Sequence, residues 1–231
     1  MPIQWVVFDA VGTLIFATPG VAAAYHAIGQ RHGSQLSLTD VSERFRSAIR
    51  NSETRDLHGG GSDITSEEIE ETRWRRIVSE VLPDVASPDV CFEDLFRHFG
   101  EPSSWACFDD VEVAIGNLTS GGLQLAMASN FDARLHSVCD GLSEMASVSH
   151  RVVSSEVGFR KPSRSFYDAL LSQIGASPDE VLMVGDDLAN DVRGAEAADI
   201  QAVLIDRAAS SEVATDITTV KSLLELESVL S

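Results

Sequence analysis

The sequence predicts an α/β protein: a parallel sheet covered by helices on both faces, with a helical insertion after its first strand. Three observations predict it. Short apolar runs alternate with helical periodicity from about residue 105 onward, the pattern of a parallel sheet. A run of the same kind stands alone near residues 4–8. Between them, residues 17–104 read as almost entirely helical.

Each element has a local reason. Gln4 to Phe8 is short and apolar, contains Val6 and Val7, and ends at Asp9, as a buried strand would. Gly12 then allows a tight turn. Helical spacing runs from Pro19 to Arg31 through Ala22, Ala23, Ala24 and Ile28, with Gly33 placed to stop it. Further helices are expected near Thr39–Arg50, Ser66–Leu82 and Pro88–Phe99, with Thr39 and Ser66 as N-caps. Gly59-Gly60-Gly61 reads as a flexible loop. Strands are then expected at Leu123–Ser129, Val152–Ser155, Val181–Val184 and Ala202–Ile205. The helices near Val111–Ser120, Asp132–Leu142, Arg164–Ile174 and Leu188–Ala198 separate them. Thr218–Leu230 reads as a closing amphipathic helix, and no internal repeat is visible.

Composition narrows the function classes. The chain has 231 residues, 44% of them hydrophobic, enough for a sizeable core. Lys and Arg number 17 against 36 Asp and Glu, a formal net charge of −19. That excess argues against nucleic acid or an anionic membrane as partner, because both need a basic face. Cys91, Cys107 and Cys139 form no CxxC pair, so a reducing, cytoplasmic setting is expected. The N-terminal apolar run is short and broken by Asp9, unlike a signal peptide or a membrane span. No HExxH pattern occurs among the six histidines.

The chemistry is expected where the strands end. In open parallel sheets, ligands bind beyond the carboxyl ends of the strands. Those ends carry Asp9, Ser129 and the Asp186-Asp187 pair, and Lys161 lies in Gly158-Phe159-Arg160-Lys161-Pro162 just before a helix. Taken singly, each has a bland reading: an Asp or Ser caps a helix or forms a turn, and a Lys is a solvated surface charge. Together they put carboxylates, a hydroxyl and an ammonium on one edge.

Those residues carry a family resemblance. FDAVGTL at 8–14 looks like the first motif of the haloacid dehalogenase-like hydrolases. Ser129 fits the second motif, Lys161 the third and GDDLAND at 185–191 the fourth. The resemblance implies a Rossmann-like core at 1–16 and 105–231, and an inserted helical cap at 17–104. It implies Asp9 as nucleophile, attacking phosphorus to give an aspartyl-phosphate. A carboxylate beside a phosphate dianion needs a cation, and Mg²⁺ suits hard oxygen ligands. Its implied ligands are Asp9, the backbone carbonyl of Val11 and Asp186, with Asp187 and Asp191 as nearby acceptors that orient water or Lys161. Lys161 would neutralise charge, Ser129 would donate to a phosphoryl oxygen, and Asn130 would add its backbone N–H. Gly12 and Thr13 would shape the turn that brings amides to the phosphate. The implied partner is a small phosphorylated substrate.

One residue departs from the pattern. The phosphatases of this family carry a second Asp two residues after the nucleophile, and here that position is Val11. Valine transfers no proton, and general acid–base help is worth about 10²–10⁴-fold. Alkyl phosphates are therefore expected to be poor substrates, and aryl or acyl phosphates less affected. Three readings stand: an Mg²⁺-dependent phosphatase-type hydrolase of weak or unusual activity, a non-catalytic protein that binds a phosphorylated ligand, and a metal-independent 2-haloacid dehalogenase. Resemblance to phosphonoacetaldehyde hydrolases is set aside, because their cap lysine has no counterpart before Lys161. The cap's many arginines read as surface charges paired with nearby Glu, and none is singled out for the substrate.

Overall fold

The computed structural model describes residues 2–58, 63–208 and 217–230. The chain begins with strand β1 (Trp5–Phe8), then a short strand β2 (Ile15–Ala17). Four helices follow: α1 (Val21–Arg31), α2 (Leu38–His58), α3 (Glu67–Val81) and α4 (Pro88–His98). Strand β3 (Trp105–Cys107) returns antiparallel to β2, so the helical segment leaves and re-enters the chain through one two-stranded ribbon. The order then runs α5 (Val111–Ser120), β4 (Gln124–Ser129), α6 (Arg134–Asp140), β5 (His150–Val153), α7 (Ser154–Val157) and α8 (Arg164–Ile174). It closes with β6 (Val181–Gly185), a π-helical turn Leu188–Arg193, α9 (Gly194–Glu196), β7 (Gln201–Ile205), β8 (Thr219–Val220) and α10 (Leu226–Leu230).

Six strands form one parallel sheet in the order β5-β4-β1-β6-β7-β8. Strand alternation divides its core in two. Val6 and Phe8 of β1 pack with Ile115, Met127 and Leu135 on one face. Trp5 and Val7 pack with Phe166, Tyr167 and Leu170 on the other. Burial on both faces explains why these strands are continuous apolar runs. The helical segment has its own core, with Tyr25, Val41, Ile77, Leu82 and Phe92 among its buried residues. Among the described residues, no helix is long and apolar enough to cross a membrane.

Several expectations are corrected. The strand expected at Val152–Ser155 ends at Val153, because the Ser154 hydroxyl turns back to donate to Phe131 O at 3.0 Å and α7 begins there. Thr39 lies inside α2 rather than capping it. Ser37 and Asp40 cap reciprocally instead, Ser37 Oγ accepting from Asp40 N at 3.2 Å and Asp40 Oδ2 accepting from Ser37 N at 3.1 Å. Ser66 does cap α3, accepting from Ile69 N. Leu188–Ala198 is not one α-helix but the π-helical turn followed by short α9. Thr218–Leu230 is not one helix either: Thr219 and Val220 extend the sheet, and only the last residues coil. The Gly59-Gly60-Gly61 loop lies outside the described residues.

The helical segment is tied to the core beside the Lys161 loop. Thr65 N donates to Gly158 O at 3.0 Å and Arg160 N to Asp63 O at 2.9 Å. Glu70, 1% exposed, accepts from Thr65 Oγ1 at 2.7 Å and pairs with Arg73 and Arg160. Glu67 accepts from Ala133 N at 3.0 Å and also from the Ser155 hydroxyl.

Candidate active site

Three central strands set the site. Phe8 stands level with Met127 of β4 and Val184 of β6, so Asp9, Ser129 and Asp186 leave the sheet at the same edge. The turn after β1 is fixed by backbone bonds: Leu14 N donates to Ala10 O at 2.8 Å and Gly12 N to Ile15 O at 2.9 Å. Gly12 has φ +97, and a Cβ there would sit 2.2 Å from Asp186 Oδ2. Only glycine both accepts that backbone angle and leaves room for the carboxylate. Gly185 answers the same need on the other side, where a Cβ would lie 2.2 Å from Asp191 Cγ.

Lys161 organises the acids. Its Nζ donates to Asp9 Oδ1 at 2.7 Å, Asp191 Oδ1 at 2.6 Å and Ala128 O at 2.8 Å, and the residue is 3% exposed. Burial alone would lower its pKa, but the Asp191 and Asp9 carboxylates overcome that and hold it above the ordinary value. Burial raises the Asp9 carboxyl, against the pull of Lys161. Asp191 is pushed up to about 6 by burial, again opposed by Lys161. Asp186 opens onto the cavity, yet its walls remove enough water, with Asp191 nearby, to push it up to about 6. Among the described residues, its one hydrogen bond from a side chain is a long one, from Thr13 Oγ1 at 3.3 Å. Carboxylate oxygens of Asp9, Asp186 and Asp191 all lie within 4.8 Å of one another.

The expected residues therefore meet around one cavity of about 220 Å³, which Asp9, Val11, Ser129, Asn130, Lys161, Asp186, Asp187 and Asp191 all line. Several side chains also make bonds that the sequence did not foretell. The Lys161 ammonium bonds to Asp9, Asp191 and Ala128 and not to Asp187. Asp187 caps the π-helical turn, accepting from Ala189 N at 2.8 Å and Asn190 N at 2.9 Å. Asp191, four residues on, is the acceptor that Lys161 uses, and its Oδ2 takes the Asp187 N–H at 3.0 Å. The Asn130 side chain clamps the Lys161 backbone, accepting from its N–H at 2.8 Å and donating to its carbonyl at 2.9 Å. Thr13, fully buried, holds Asp186 rather than opening onto the cavity.

Three supporting residues escape sequence reasoning. Arg207 Nη2 donates to Thr13 O at 2.7 Å, and its Nη1 to Asp110 Oδ2 at 3.0 Å. Tyr167 Oη donates to Asn190 O at 2.5 Å, bracing the turn that carries Asp191. The signal for Arg207 was its place just past the end of a sheet strand; Asp110 and Tyr167 carried none, because only tertiary contact brings them in.

Known proteins bear on this arrangement. The sequence profile of the haloacid dehalogenase-like hydrolases matches residues 3–199. A Danio rerio haloacid dehalogenase-like hydrolase domain-containing protein 3 is 26% identical over 223 residues, 94% of this chain and 90% of the relative. A phosphoserine phosphatase of Thermus thermophilus is 31% identical over 136 residues, 57% of this chain and 54% of that protein. Among solved structures, the magnesium-bound HAD-hydrolase YfnB of Bacillus subtilis superposes with a TM-score of 0.79 at 18% identity, covering 100% of this chain and 99% of that one. The L-2-haloacid dehalogenase of Xanthobacter autotrophicus gives 0.76 at 17% identity, covering 99% and 98%. At those identities the two structures speak for the fold alone. With the profile match spanning most of the chain, the conclusion is direct: this protein belongs to the haloacid dehalogenase-like hydrolases.

Proposed function

We propose that the chain is an Mg²⁺-dependent phosphohydrolase of small phosphorylated molecules, with Asp9 as its nucleophile. The observation that carries this reading is the carboxylate cluster. Asp9, Asp186 and Asp191 crowd together with one lysine among them, and among the described residues Asp186 keeps a single weak side-chain donor. Like charges held this close and partly dehydrated repel one another unless a cation joins them. The hard oxygen donors fit Mg²⁺, which Asp9, the Val11 carbonyl and Asp186 would hold. Bound there, the ion draws charge from a phosphoryl group and lets it approach a carboxylate.

The side chains do the rest. Lys161 pins one oxygen of Asp9 and leaves the other for attack. It also neutralises part of the charge that both carboxylates share. Ser129, at the end of β4, is placed to donate to a phosphoryl oxygen. Val11, 38% exposed, supplies no proton to the departing oxygen. A leaving group stable as an anion needs none. The relative named as a phosphoserine phosphatase supports this reading. A cytoplasmic setting is proposed with it, on three free thiols in one chain.

The test is para-nitrophenyl phosphate turnover, expected with Mg²⁺, lost in EDTA and abolished in Asp9→Asn. Two results would overturn it. Chloride release from 2-chloropropionate without metal would make the protein a dehalogenase. Mg²⁺ binding with no turnover of para-nitrophenyl or acetyl phosphate would make it a non-catalytic binder.

A further inference from the structure

Beside the acidic cavity lies a second one, of about 340 Å³, and the two share Val11, Asn130 and Phe131 in their walls. Its lining is aromatic on most sides: Tyr25, Phe45, Trp74, Phe96, Phe99 and Trp105 all face it. They come from α1, α2, α3, α4 and the residue that follows it, and β3, so the helical segment builds most of the chamber. Small-molecule sites span about 300–1,000 Å³, and this volume suits one compact group rather than an extended chain.

The charge lining this chamber is as informative as its shape. Among the described residues no carboxylate lines it, and its one cation is Arg134. That guanidinium is already engaged. Nε and Nη2 each donate to the Asp132 carboxylate at 2.7 Å, and Nη1 donates to Phe96 O at 2.7 Å. Its Cζ also lies 3.5 Å from the Phe96 ring centroid. A carboxylate, ammonium or polyhydroxyl group entering here would lose water and gain almost no partner.

We propose that this chamber receives the leaving group, and that the substrates are phosphate monoesters of bulky, uncharged phenols. The proposal rests on the phosphohydrolase reading above. Val11 joins its two halves. The same side chain that removes the proton donor from the acidic cavity forms part of the apolar wall of its neighbour. An alkoxide departs poorly without a proton; a phenolate departs without one, and its ring suits an aromatic chamber. In the first step an Asp9 carboxylate oxygen bonds to phosphorus as the bond from phosphorus to the aryl oxygen breaks. The electron pair leaves with that oxygen, and the phenolate takes its proton from water. In the second step water adds to phosphorus, inorganic phosphate departs with the balancing proton released to solvent, and the Asp9 carboxylate is restored.

The experiment compares kcat/KM, with Mg²⁺, for 1-naphthyl phosphate, phenyl phosphate, O-phosphoserine and acetyl phosphate. The first two leave as phenols of similar acidity, so their ratio reads the chamber. 1-Naphthyl phosphate is expected to exceed phenyl phosphate by about ten-fold or more, from burial of the second ring. Ile49→Trp, which fills the chamber, should bring that ratio near one. In the unaltered protein, 1-naphthol should compete with phenyl phosphate, a measurement that does not depend on a variant folding. Turnover of acetyl phosphate with no gain from phenyl to naphthyl, or with O-phosphoserine preferred, overturns this inference and leaves the phosphohydrolase reading intact. No turnover of any of the four overturns that reading, and this one with it.

Discussion

Among single residues, the proposed function turns on one side chain, Val11. It stands two residues past Asp9 and opens on both cavities. Val11→Asp is expected to raise kcat on alkyl phosphates by about 10²–10⁴-fold, measured against phenyl phosphate as control. A variant that folds and binds Mg²⁺ without that gain would show that proton donation is not what limits the site. The meeting of the strand-end residues was legible because a parallel sheet brings the carboxyl ends of its strands to one edge. The resemblance told the two acids of Gly185-Asp186-Asp187 apart, Asp186 as a ligand and Asp187 as a nearby acceptor, but gave no sign that Asp187 caps a helical turn. The end of β6 turns Asp186 toward the cavity and Asp187 onto the amides of the π-helical turn. Asn130 was expected at the phosphate through its backbone N–H, and the clamp its side chain puts on the Lys161 backbone had no sign in the sequence.

Among the elements, two tethers hold the site in shape. The first joins α5, the loop after β7 and the C-terminal segment. Asp110 Oδ2 accepts from Arg207 Nη1 at 3.0 Å, Ser222 Oγ at 2.7 Å and Leu223 N at 2.8 Å, while Arg207 holds Thr13 O. Burial pushes the Asp110 carboxyl up, and those donors outweigh it to leave the pKa below the ordinary value. A carboxyl lowered in the folded state stabilises above its unfolded pKa, and that stability is lost as pH falls through the folded pKa. Asp110→Asn should therefore cost about 2 kcal/mol near neutrality, a fall of roughly 4–8 °C in Tm. The gap between variant and parent should shrink as pH is lowered below about 4. A gap that widens in acid would contradict the tether. The second tether is Glu70, buried between α3 and the Lys161 loop. Glu70→Ala leaves Arg160 without that carboxylate and should cost about 3–5 kcal/mol in chemical denaturation. A loss under about 1 kcal/mol would show that this ion pair does not hold the segment to the core. The sheet strands were legible because burial on both faces makes them apolar throughout. The β2–β3 ribbon was not, because strands of three residues show no period. The split of Leu188–Ala198 was hidden for a related reason: helical spacing does not distinguish a π-helical turn from an α-helix.

For the whole molecule, the net charge of −19 gains a location. Part of the acid excess converges on Asp9, Asp186 and Asp191, where a cation would turn repulsion into a phosphate site. Binding to the folded state alone raises stability by RT ln(1 + [L]/Kd), about 2.7 kcal/mol at 100 times Kd. Saturating Mg²⁺ should thus raise the Tm of the protein by several degrees, and Asp186→Asn should abolish the rise. An equal rise in that variant would place the ion elsewhere. On the proposed reading, what the protein accepts is decided inside, by an acidic chamber that would hold phosphate next to an aromatic one. The central claim is that Asp9 carries the phosphoryl group. Mass spectrometry of the protein quenched in acid during turnover of acetyl phosphate with Mg²⁺ tests it most directly. One added phosphoryl group is expected, mapped to the peptide containing Asp9 and absent from Asp9→Asn. Steady phosphate release with no label at Asp9, or release that persists in Asp9→Asn, would contradict it.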